Sequence, residues 1–499
     1  MTSVDAVVVG AGPNGLAAAV MLARAGLSVH VFEKAPTIGG GARTAQATLV
    51  GYHHDICSAV HPMAAGSPFF RAFELDRRIE FVTPEISYAH PLDGGRAGIA
   101  YRDIDRTAEA LGADGSRWRG LFAPLAERID EVTDFTGSTL MRIPRHPATV
   151  VRFGLRALEQ GTPAWALRLR GDVARAMLTG VNAHSIGRMP SMATAGVGLV
   201  LGAHAHARGW PIPVGGSQAI VDAMADDILA HGGTITTDAE IDDLSALPSA
   251  RAYVLDITPR SLLRMAGSRL PAGYRRALGR FRYGNAVAKV DFALSDPVPW
   301  THPEVRKAAT FHLGGDRAEL AAGERAVAAG RHAESPYVLA SQPTIVDPTR
   351  APSGRHVLWA YTHVPSGSTV DPTESVARQI ERFAPGFRDT VLASQAVSAA
   401  ELADYNPNYI GGDISAGAVT LPQLLRRPVL SPDPWRTPIK GVYLCSSSTP
   451  PGTGVHGMAG YHAARSALRH EFGLAVPPLG VDDAADGGAI GADDSVAAD

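Results

Sequence analysis

The pattern of apolar and polar positions at the start of the chain predicts a strand, a helix and a second strand. Val4–Val9 is a short β-branched run, typical of a buried parallel strand. Asn14–Ala25 is rich in alanine and leucine and predicts a helix that stops at Gly26. Ser28–Phe32 predicts the next strand, so the chain opens with a βαβ unit.

Farther along, the pattern predicts a helical region and then a return to alternating strands and helices. The helical region contains two amphipathic stretches and one apolar stretch: Trp118–Phe135, Ala164–Leu178 and Ala193–Ala203. The later elements are predicted as a helix Ala219–His231, strands Thr234–Thr237, Ala252–Asp256, Tyr283–Leu294 and Gly441–Cys445, and a helix Gly460–Phe472. Proline-rich loops are predicted for 297–370 and a disordered acidic tail for 475–499.

Length and composition narrow the class of protein. The chain has 499 residues, which favours two domains, and its net charge of −3 gives no general attraction for nucleic acid. No apolar run reaches the length that spans a bilayer, and the N-terminus lacks the features of a signal peptide. We therefore expect a cytoplasmic protein with no transmembrane segment; a peripheral membrane contact and a homodimer are compatible with the sequence.

The first turn carries a dinucleotide-binding fingerprint. Gly10-Ala11-Gly12-Pro13-Asn14-Gly15 fits G-x-G-x-x-G between a predicted strand and helix, and Glu33 ends the second strand. The glycines allow a tight turn, close approach of a pyrophosphate and close helix packing, while the helix N-terminus attracts phosphate. Glu33 would accept hydrogen bonds from ribose hydroxyls and would repel the 2′-phosphate of NADP.

A second glycine segment favours FAD over NAD. Many flavoproteins continue with Gly-Gly-Arg-x-x-Ser/Thr along the pyrophosphate, and Ile38–Thr44 follows that pattern in part. The chain departs from the pattern at one position: Gly41 stands where the arginine is usual, and Arg43 lies two places later.

A further match to the fingerprint, 452–457, lacks the context of a second Rossmann unit. A segment separates it from its strand, and no strand is predicted after its helix. We interpret it as a loop that faces the same flavin.

Several motifs together resemble the phytoene desaturase-like flavoproteins, and among them the branch of pyridine nucleotide-disulfide oxidoreductase domain-containing protein 2. The resemblance extends to about residue 474. Its motifs are the fingerprint, Gly51–Asp55 with Ser58–Pro62, Gly209–Pro211 with Gly215–Gln218, Pro297–Trp300, Asn406–Tyr409 and Tyr443–Gly460. The Cys-x-x-x-x-Cys pair of disulfide reductases is absent. Cys57 and Cys445 are expected to be reduced thiols rather than a disulfide.

The resemblance implies an α/β fold in which a Rossmann-type FAD-binding domain is interleaved with an α+β substrate domain. The FAD-binding domain would comprise 1–70, 205–265 and 430–474, and the substrate domain 71–204 and 266–429. It also implies that a residue near 240, for which we choose Ile241, contacts the adenine end. The predicted FAD contacts are Gly10, Gly12, Pro13, Asn14, Gly15, Glu33, Lys34, Gly40, Gly41, Ala42, Arg43, Ile241, Gly454, Val455 and His456.

Three residues are candidates for chemistry beside the flavin. Lys289 lies on a predicted strand and resembles a lysine of amine oxidases, although it could instead pair with Asp291. His456 lies in the flavin-facing loop, and His61 follows the Gly-Gly segment; each could be a structural histidine. His53, His54 and Asp55 do not have a defensible metal-ligand spacing, so no metal is expected.

Three functions compete. The leading one is dehydrogenation, or desaturation, of an apolar small molecule by FAD, with oxygen or a quinone as the final acceptor. The second is an amine oxidase, whose aromatic cage would come from Trp210, Trp300, Tyr443 and Tyr461. The third is a non-enzymatic escort protein of the GDP-dissociation-inhibitor type, against which the intact fingerprint argues.

Overall fold

Two regions rich in strands flank a run of helices in a computed structural model that describes residues 3–481. The strands are β1 Ala6–Val9, β2 Val29–Phe32, β3 Thr44–Ala45, β4 His54–Asp55, β5 Phe81–Val82, β6 Ile86–Leu92, β7 Arg96–Tyr101, β8 Ile212–Pro213, β9 Thr234–Thr236, β10 Ala252–Leu255, β11 Ala286–Leu294, β12 Thr310–Leu313, β13 Val338–Ser341, β14 His356–Val364, β15 Val391–Val397 and β16 Val442–Leu444. The helices are α1 Pro13–Arg24, α2 Pro62–Gly66, α3 Pro68–Ala72, α4 Leu75–Arg78, α5 Ile104–Ala110, α6 Gly115–Ala126, α7 Ile129–Thr136, α8 Pro147–Gln160, α9 Trp165–Arg168, α10 Asp172–Ala183, α11 Met192–Ala207, α12 Gln218–Ala230, α13 Pro259–Ala266, α14 Ala272–Gly279, α15 Arg317–Ala328, α16 Thr373–Phe383, α17 Phe387–Thr390, α18 Ala399–Tyr405, α19 Leu421–Leu425 and α20 Met458–Ala467.

The first sheet is parallel and has the order β16-β10-β1-β2-β9. Its strands are short and mostly buried because helices cover both faces. Helices α1, α12 and α20 pack on one face, where side chains such as Leu16, Ile220 and Ala463 form the core. The fold class predicted from the sequence, a Rossmann-type α/β unit combined with an α+β region, is confirmed.

The second sheet is largely antiparallel, with the order β15-β11-β14-β13-β12-β6-β7. Helices α6, α8, α10 and α11 form a layer beside it around Trp118 and Phe122. The segments assigned to the substrate domain supply the strands of this sheet, and those assigned to the FAD-binding domain supply the strands of the first. The exact domain boundaries stay a prediction.

The prediction of loops over 297–370 is wrong. This stretch contains β12, β13 and β14 and the helix α15. Its prolines, among them Pro336, Pro343 and Pro352, lie between these elements, where the missing N–H costs no ladder hydrogen bond.

Two predicted helical stretches are interrupted. Trp118–Phe135 divides into α6 and α7 at Glu127 and Arg128, and Arg128 leaves helical geometry. Ala164–Leu178 divides into α9 and α10 at an extended Leu169.

The C-terminal part of the described chain is extended and packs against α4. Leu479 is buried, and the Val481 N–H donates to the Glu74 carboxylate at 2.8 Å. The rest of the predicted tail, 482–499, lies outside the described residues. Within residues 3–481 no helix is long and apolar enough to cross a bilayer.

Candidate functional site

A cavity of about 1530 Å³ lies between the carboxyl ends of β1, β2 and β10 and the helical layer of α8 and α11. Small-molecule sites usually measure about 300–1,000 Å³, so this one has room for a dinucleotide and a second molecule. The carboxyl edge of a parallel sheet is where α/β folds bind ligands. The cavity is therefore the candidate functional site.

The fingerprint glycines form one wall of this cavity. Gly10, Gly12, Pro13 and Asn14 line it, and Pro13 is the first residue of α1. Gly15 does not line it, because it lies against the backbone of Gly10, where an added Cβ would overlap the Gly10 carbonyl. Gly15 thus holds helix to strand, while the preceding glycines expose backbone to a ligand.

Glu33 lies at the end of β2 and also lines the cavity. Its carboxylate accepts N–H bonds from Ala11 at 2.7 Å and from Ala35 at 2.9 Å. These bonds fix the carboxylate beside the first turn, where it would meet a ribose. The neighbouring Lys34 lines the cavity as well and pairs with the exposed Glu240 at 2.7 Å.

The structure gives a steric reason for glycine at position 41. An added Cβ there would overlap the hydroxyl of Tyr409, so no side chain fits while that tyrosine is in place. Arg43 turns away from this point; it donates to the Thr37 carbonyl at 2.5 Å and lies 3.4 Å from Glu33. Its guanidinium is therefore engaged by the Thr37 and Ile38 carbonyls and by Glu33.

Gly40, Gly41 and Arg43 line the cavity, whereas two other predicted contacts do not. Ala42 is fully buried beneath them. Ile241 packs with the apolar core on the other face of the first sheet. Thr237 lines the cavity where Ile241 was expected.

The second glycine loop reaches the same cavity from the far end of the chain. Gly454, Val455 and His456 line it, directly before α20. Helix α20 packs on α1 so closely that an added Cβ on Gly460 would overlap the Asn14 carbonyl. Within residues 3–481 no strand follows α20, so this loop is not part of a second βαβ unit.

Two neutral histidines belong to the cavity wall. Ser217 uses its only hydroxyl proton on the Ser58 carbonyl, at 2.5 Å, so it accepts from His61 Nε2 at 2.7 Å. His61 Nδ1 then carries a lone pair, and it has no hydrogen-bond partner among the described residues. Burial is the main cause that lowers the pKa of His61 to about 4.

His456 has the opposite proton arrangement. The Met458 N–H donates to His456 Nδ1 at 3.0 Å, which leaves the ring proton on Nε2. Nε2 forms no hydrogen bond of good geometry within residues 3–481. Burial lowers the pKa of His456 to about 4, although the Gly452 and Thr453 carbonyls raise it in part.

Lys289 is not placed for chemistry in this cavity. It is buried on β11, forms a close ion pair with Asp291 and donates to the Asp55 carbonyl at 3.0 Å. It does not line the cavity. The structure thus contains the alternative that the sequence left open, an ion pair between Lys289 and Asp291.

The polar cluster after the Gly-Gly segment is also engaged by protein partners. Asp55 forms a buried ion pair with Arg350 at 2.7 Å and accepts from the Thr44 hydroxyl and the Ser217 N–H. His54 contacts Thr48 at 2.8 Å. These bonds hold the segment that carries His61. Cys57 and Cys445 are both free thiols, as predicted.

Sequence analysis missed Asp256, which lines the cavity at the end of β10. Its carboxylate accepts from the Gly15 N–H at 3.1 Å. Burial is the main cause that raises the pKa of Asp256 to about 7; the Gly15 N–H bond acts in the opposite direction, and the nearby charge of Glu33 adds to the rise. The sequence held half of the signal, because Asp256 ends a predicted strand; the pairing of β10 beside β1, which brings it to the fingerprint turn, is seen only in the structure.

The other end of the cavity is apolar. The lining residues from α8, α11 and α19 are Phe153, Gly154, Ala157, Met192, Ala193, Gly196, Val197, Val200, Leu201, Leu421, Leu424 and Leu425. None of them carries a charge or a polar side chain.

The aromatic residues of the cavity differ from those expected. Trp210 lines it, but Trp300 and Tyr443 lie in the cores of the two sheets, and Tyr461 packs against Phe69. The cavity instead has Trp359 and Tyr361, which sequence analysis did not select. Their ring centroids are 5.2 Å apart, at an interplanar angle of 85°.

Comparison with known proteins supports this picture. Residues 8–74 match the family model of the NAD(P)-binding Rossmann-like domain. Pyridine nucleotide-disulfide oxidoreductase domain-containing protein 2 of Rattus norvegicus is 24% identical to this chain, with 93% of each covered. The protein of the same name in Mus musculus is 25% identical at the same coverage. This chain is a relative of these proteins, as its motifs indicate.

Solved structures share the fold. An oxidoreductase from Methanosarcina mazei has a TM-score of 0.60 at 18% identity, over 93% of this chain and 100% of that one. A double mutant of putrescine oxidase also has a TM-score of 0.60 at 19% identity, over 93% of this chain and 98% of that one. Cyclohexylamine oxidase from Brevibacterium oxydans has a TM-score of 0.56 at 16% identity, over 94% of this chain and 99% of that one. These solved structures show that the fold is shared, and the name of the curated relatives is that of an oxidoreductase, in agreement with the predicted oxidoreductase.

Proposed function

We propose that this chain uses FAD to dehydrogenate an apolar small molecule. The observation that carries the proposal is a single cavity with two unlike ends. One end is lined by backbone atoms and carboxylates around the fingerprint turn. The other end is lined by apolar side chains of α8, α11 and α19. A cofactor and an apolar substrate would therefore share one cavity.

The residues at the first end fit FAD. An added Cβ on Gly12 would lie 3.1 Å from the Asp256 carboxylate, and one on Gly40 would lie 3.1 Å from the Gly12 Cα. This bare backbone groove would hold the pyrophosphate at the N-terminus of α1. Glu33 would hold the ribose. The loop before α20 would present N–H groups to the pyrimidine edge of the ring.

Bound FAD would supply the acceptor for a hydride taken from the substrate. The protein would orient the substrate against its apolar walls and exclude water. His61 would accept the accompanying substrate proton at Nδ1, the one ring nitrogen that its partner Ser217 leaves free. His456 would donate a hydrogen bond from Nε2.

Anaerobic mixing tests the proposal. The protein loaded with FAD is mixed with pools of apolar compounds that contain an oxidisable C–H bond, and the visible flavin absorbance is followed. Bleaching by an apolar pool, then recovery on admission of oxygen or a quinone, is the expected result. His61→Gln should slow the bleaching about a hundredfold and leave flavin content unchanged. Protein that takes up no FAD after refolding with it would contradict the proposal.

An amine oxidase is the second candidate. The aromatic pair Trp359 and Tyr361 in the cavity wall favours it, since such rings orient an uncharged amine. Peroxide release with amines, and none with apolar compounds that lack nitrogen, would decide for this candidate.

A further inference from the structure

The segment around α8 exposes more apolar side chains than a water-facing surface normally does. Six large apolar residues are between 47% and 92% exposed, and we call them the α8 patch: Met141, Ile143, Val151, Leu155, Leu158 and Leu167. Large apolar side chains exposed together on one segment are typical of an interaction surface. All six lie within 27 positions of one another in the sequence.

Helix α8 has apolar residues on two of its faces. Phe153 and Ala157 are buried, and both line the cavity. Val151, Leu155 and Leu158 are spaced by four and three residues, so they form an outward stripe on another face. Packing against the protein accounts for the apolar residues of the first face. It does not account for those of the outward stripe.

The charge of the same segment is strongly positive although the chain as a whole is not. Residues 139–170 contain six arginines and one glutamate, in a chain whose net charge is −3. Glu159 pairs with Arg156 and Arg168. Arg152 and Arg170 are exposed and have no ion pair among residues 3–481. Arg142 and Arg145 pair with Asp134, just before the segment. Two arginines of the segment therefore lack an ion pair among the described residues, and one of them, Arg152, directly follows Val151 of the stripe.

The α8 patch adjoins the apolar end of the cavity. Leu140 lines the cavity and directly precedes Met141 of the patch. Leu421 and Leu425 also line it and are each 37% exposed, which places them at its rim. The patch and the apolar end of the cavity are thus built in part from consecutive residues of one segment.

We propose that the α8 patch docks the protein on a bilayer surface that carries anionic lipid. Helix α8 would lie in the interface with its stripe among the acyl chains and its arginines at the headgroups. A second copy of the chain fits less well, because a two-fold contact would bring the arginine-rich segments together. The docking itself does not depend on FAD; only the delivery of an apolar substrate rests on the proposed function.

Vesicle co-sedimentation with the full chain tests the docking. The vesicles are phosphatidylcholine alone, or phosphatidylcholine with about one-third phosphatidylglycerol. We expect sedimentation with the anionic vesicles that falls at high salt. The variant Val151→Ser/Leu155→Ser/Leu158→Ser should bind at least about tenfold more weakly, as should Arg152→Glu/Arg170→Glu.

Matched variants elsewhere on the surface control for nonspecific effects. Leu229→Ser/Leu392→Ser removes two similarly exposed leucines, and Arg280→Glu/Arg331→Glu reverses two exposed arginines. Both should bind like the parent. Flavin content and thermal unfolding, measured on the same samples, report folding and the proposed function separately.

Two results would overturn the docking proposal. One is the absence of sedimentation with anionic vesicles, or equal binding by the patch variants and the parent. The other is a concentration-dependent dimer, seen by sedimentation velocity, that the triple serine variant abolishes; it would assign the patch to self-association.

Discussion

The two ends of the cavity are built in different ways. The dinucleotide end is formed mainly by one continuous segment, 10–45, in which glycines and Glu33 follow a fixed spacing. The apolar end is formed by α8, α11 and α19, which lie far apart in the sequence and contribute ordinary apolar side chains. A ligand that is gripped by backbone demands glycines at set positions, whereas an apolar ligand requires only shape. The dinucleotide end can therefore be predicted from the sequence, and the apolar end cannot.

The largest expected effect concerns Lys289, which belongs to neither end. Lys289→Met leaves Asp291 buried without its cation, and we expect the free energy of unfolding to fall by about 3–5 kcal/mol. Lys289→Met/Asp291→Leu should recover much of that loss, because it removes both charges. Urea unfolding measures both variants. A Lys289→Met protein of normal stability that no longer reduces its flavin would restore the catalytic assignment.

At the dinucleotide end, Glu33→Ala should weaken FAD binding about a hundredfold, since bonds from ribose hydroxyls to an ionised acceptor are worth about 1.5–3 kcal/mol each. Glu240→Ala removes an exposed carboxylate nearby and serves as the control. FAD titration by fluorescence quenching gives both affinities. If Glu33→Ala retained full function, the escort role would regain support.

At the apolar end, Gly196→Leu should reduce kcat/KM for an apolar substrate about tenfold and leave FAD affinity unchanged. Around Gly196 the nearest atoms to an added Cβ belong to Phe153, at 4.0 Å, so the new side chain extends into open cavity. Gly273→Leu, on α14, adds the same side chain where nothing lies within 4 Å. Loss of FAD together with activity would show that the two ends are not separable.

The smallest expected effect is a pH dependence of FAD affinity, caused by the charge of Asp256 at the dinucleotide end. The raised pKa of Asp256, about 7, means that this carboxyl is protonated at lower pH and ionised above. An ionised Asp256 would repel the pyrophosphate, so FAD affinity should fall about fivefold as the pH rises from 6 to 8. Asp256→Asn should remove this dependence. A pH series of FAD titrations checks it, and an unchanged slope in the variant would contradict the assignment.

Sequence patterns located most elements of the first sheet to within two residues, because β1, α1 and β2 form a local unit with strong periodicity. They failed over 297–370, where proline content suggested loops although the prolines separate strands of the second sheet. Those strands pair with partners distant in the chain, such as β14 with β11, and local composition does not report such pairing.

The sequence by itself determined the dinucleotide fingerprint, the glycine at position 15, the acid at position 33 and the relationship to the oxidoreductases named above. These features depend on backbone geometry within one short segment. Only the tertiary structure decided that Lys289 pairs with Asp291, that Tyr409 requires glycine at position 41, and that Asp256 lies beside the fingerprint turn. Each of these depends on which distant residues share a space, and that is settled by the packing of the two sheets and their helices.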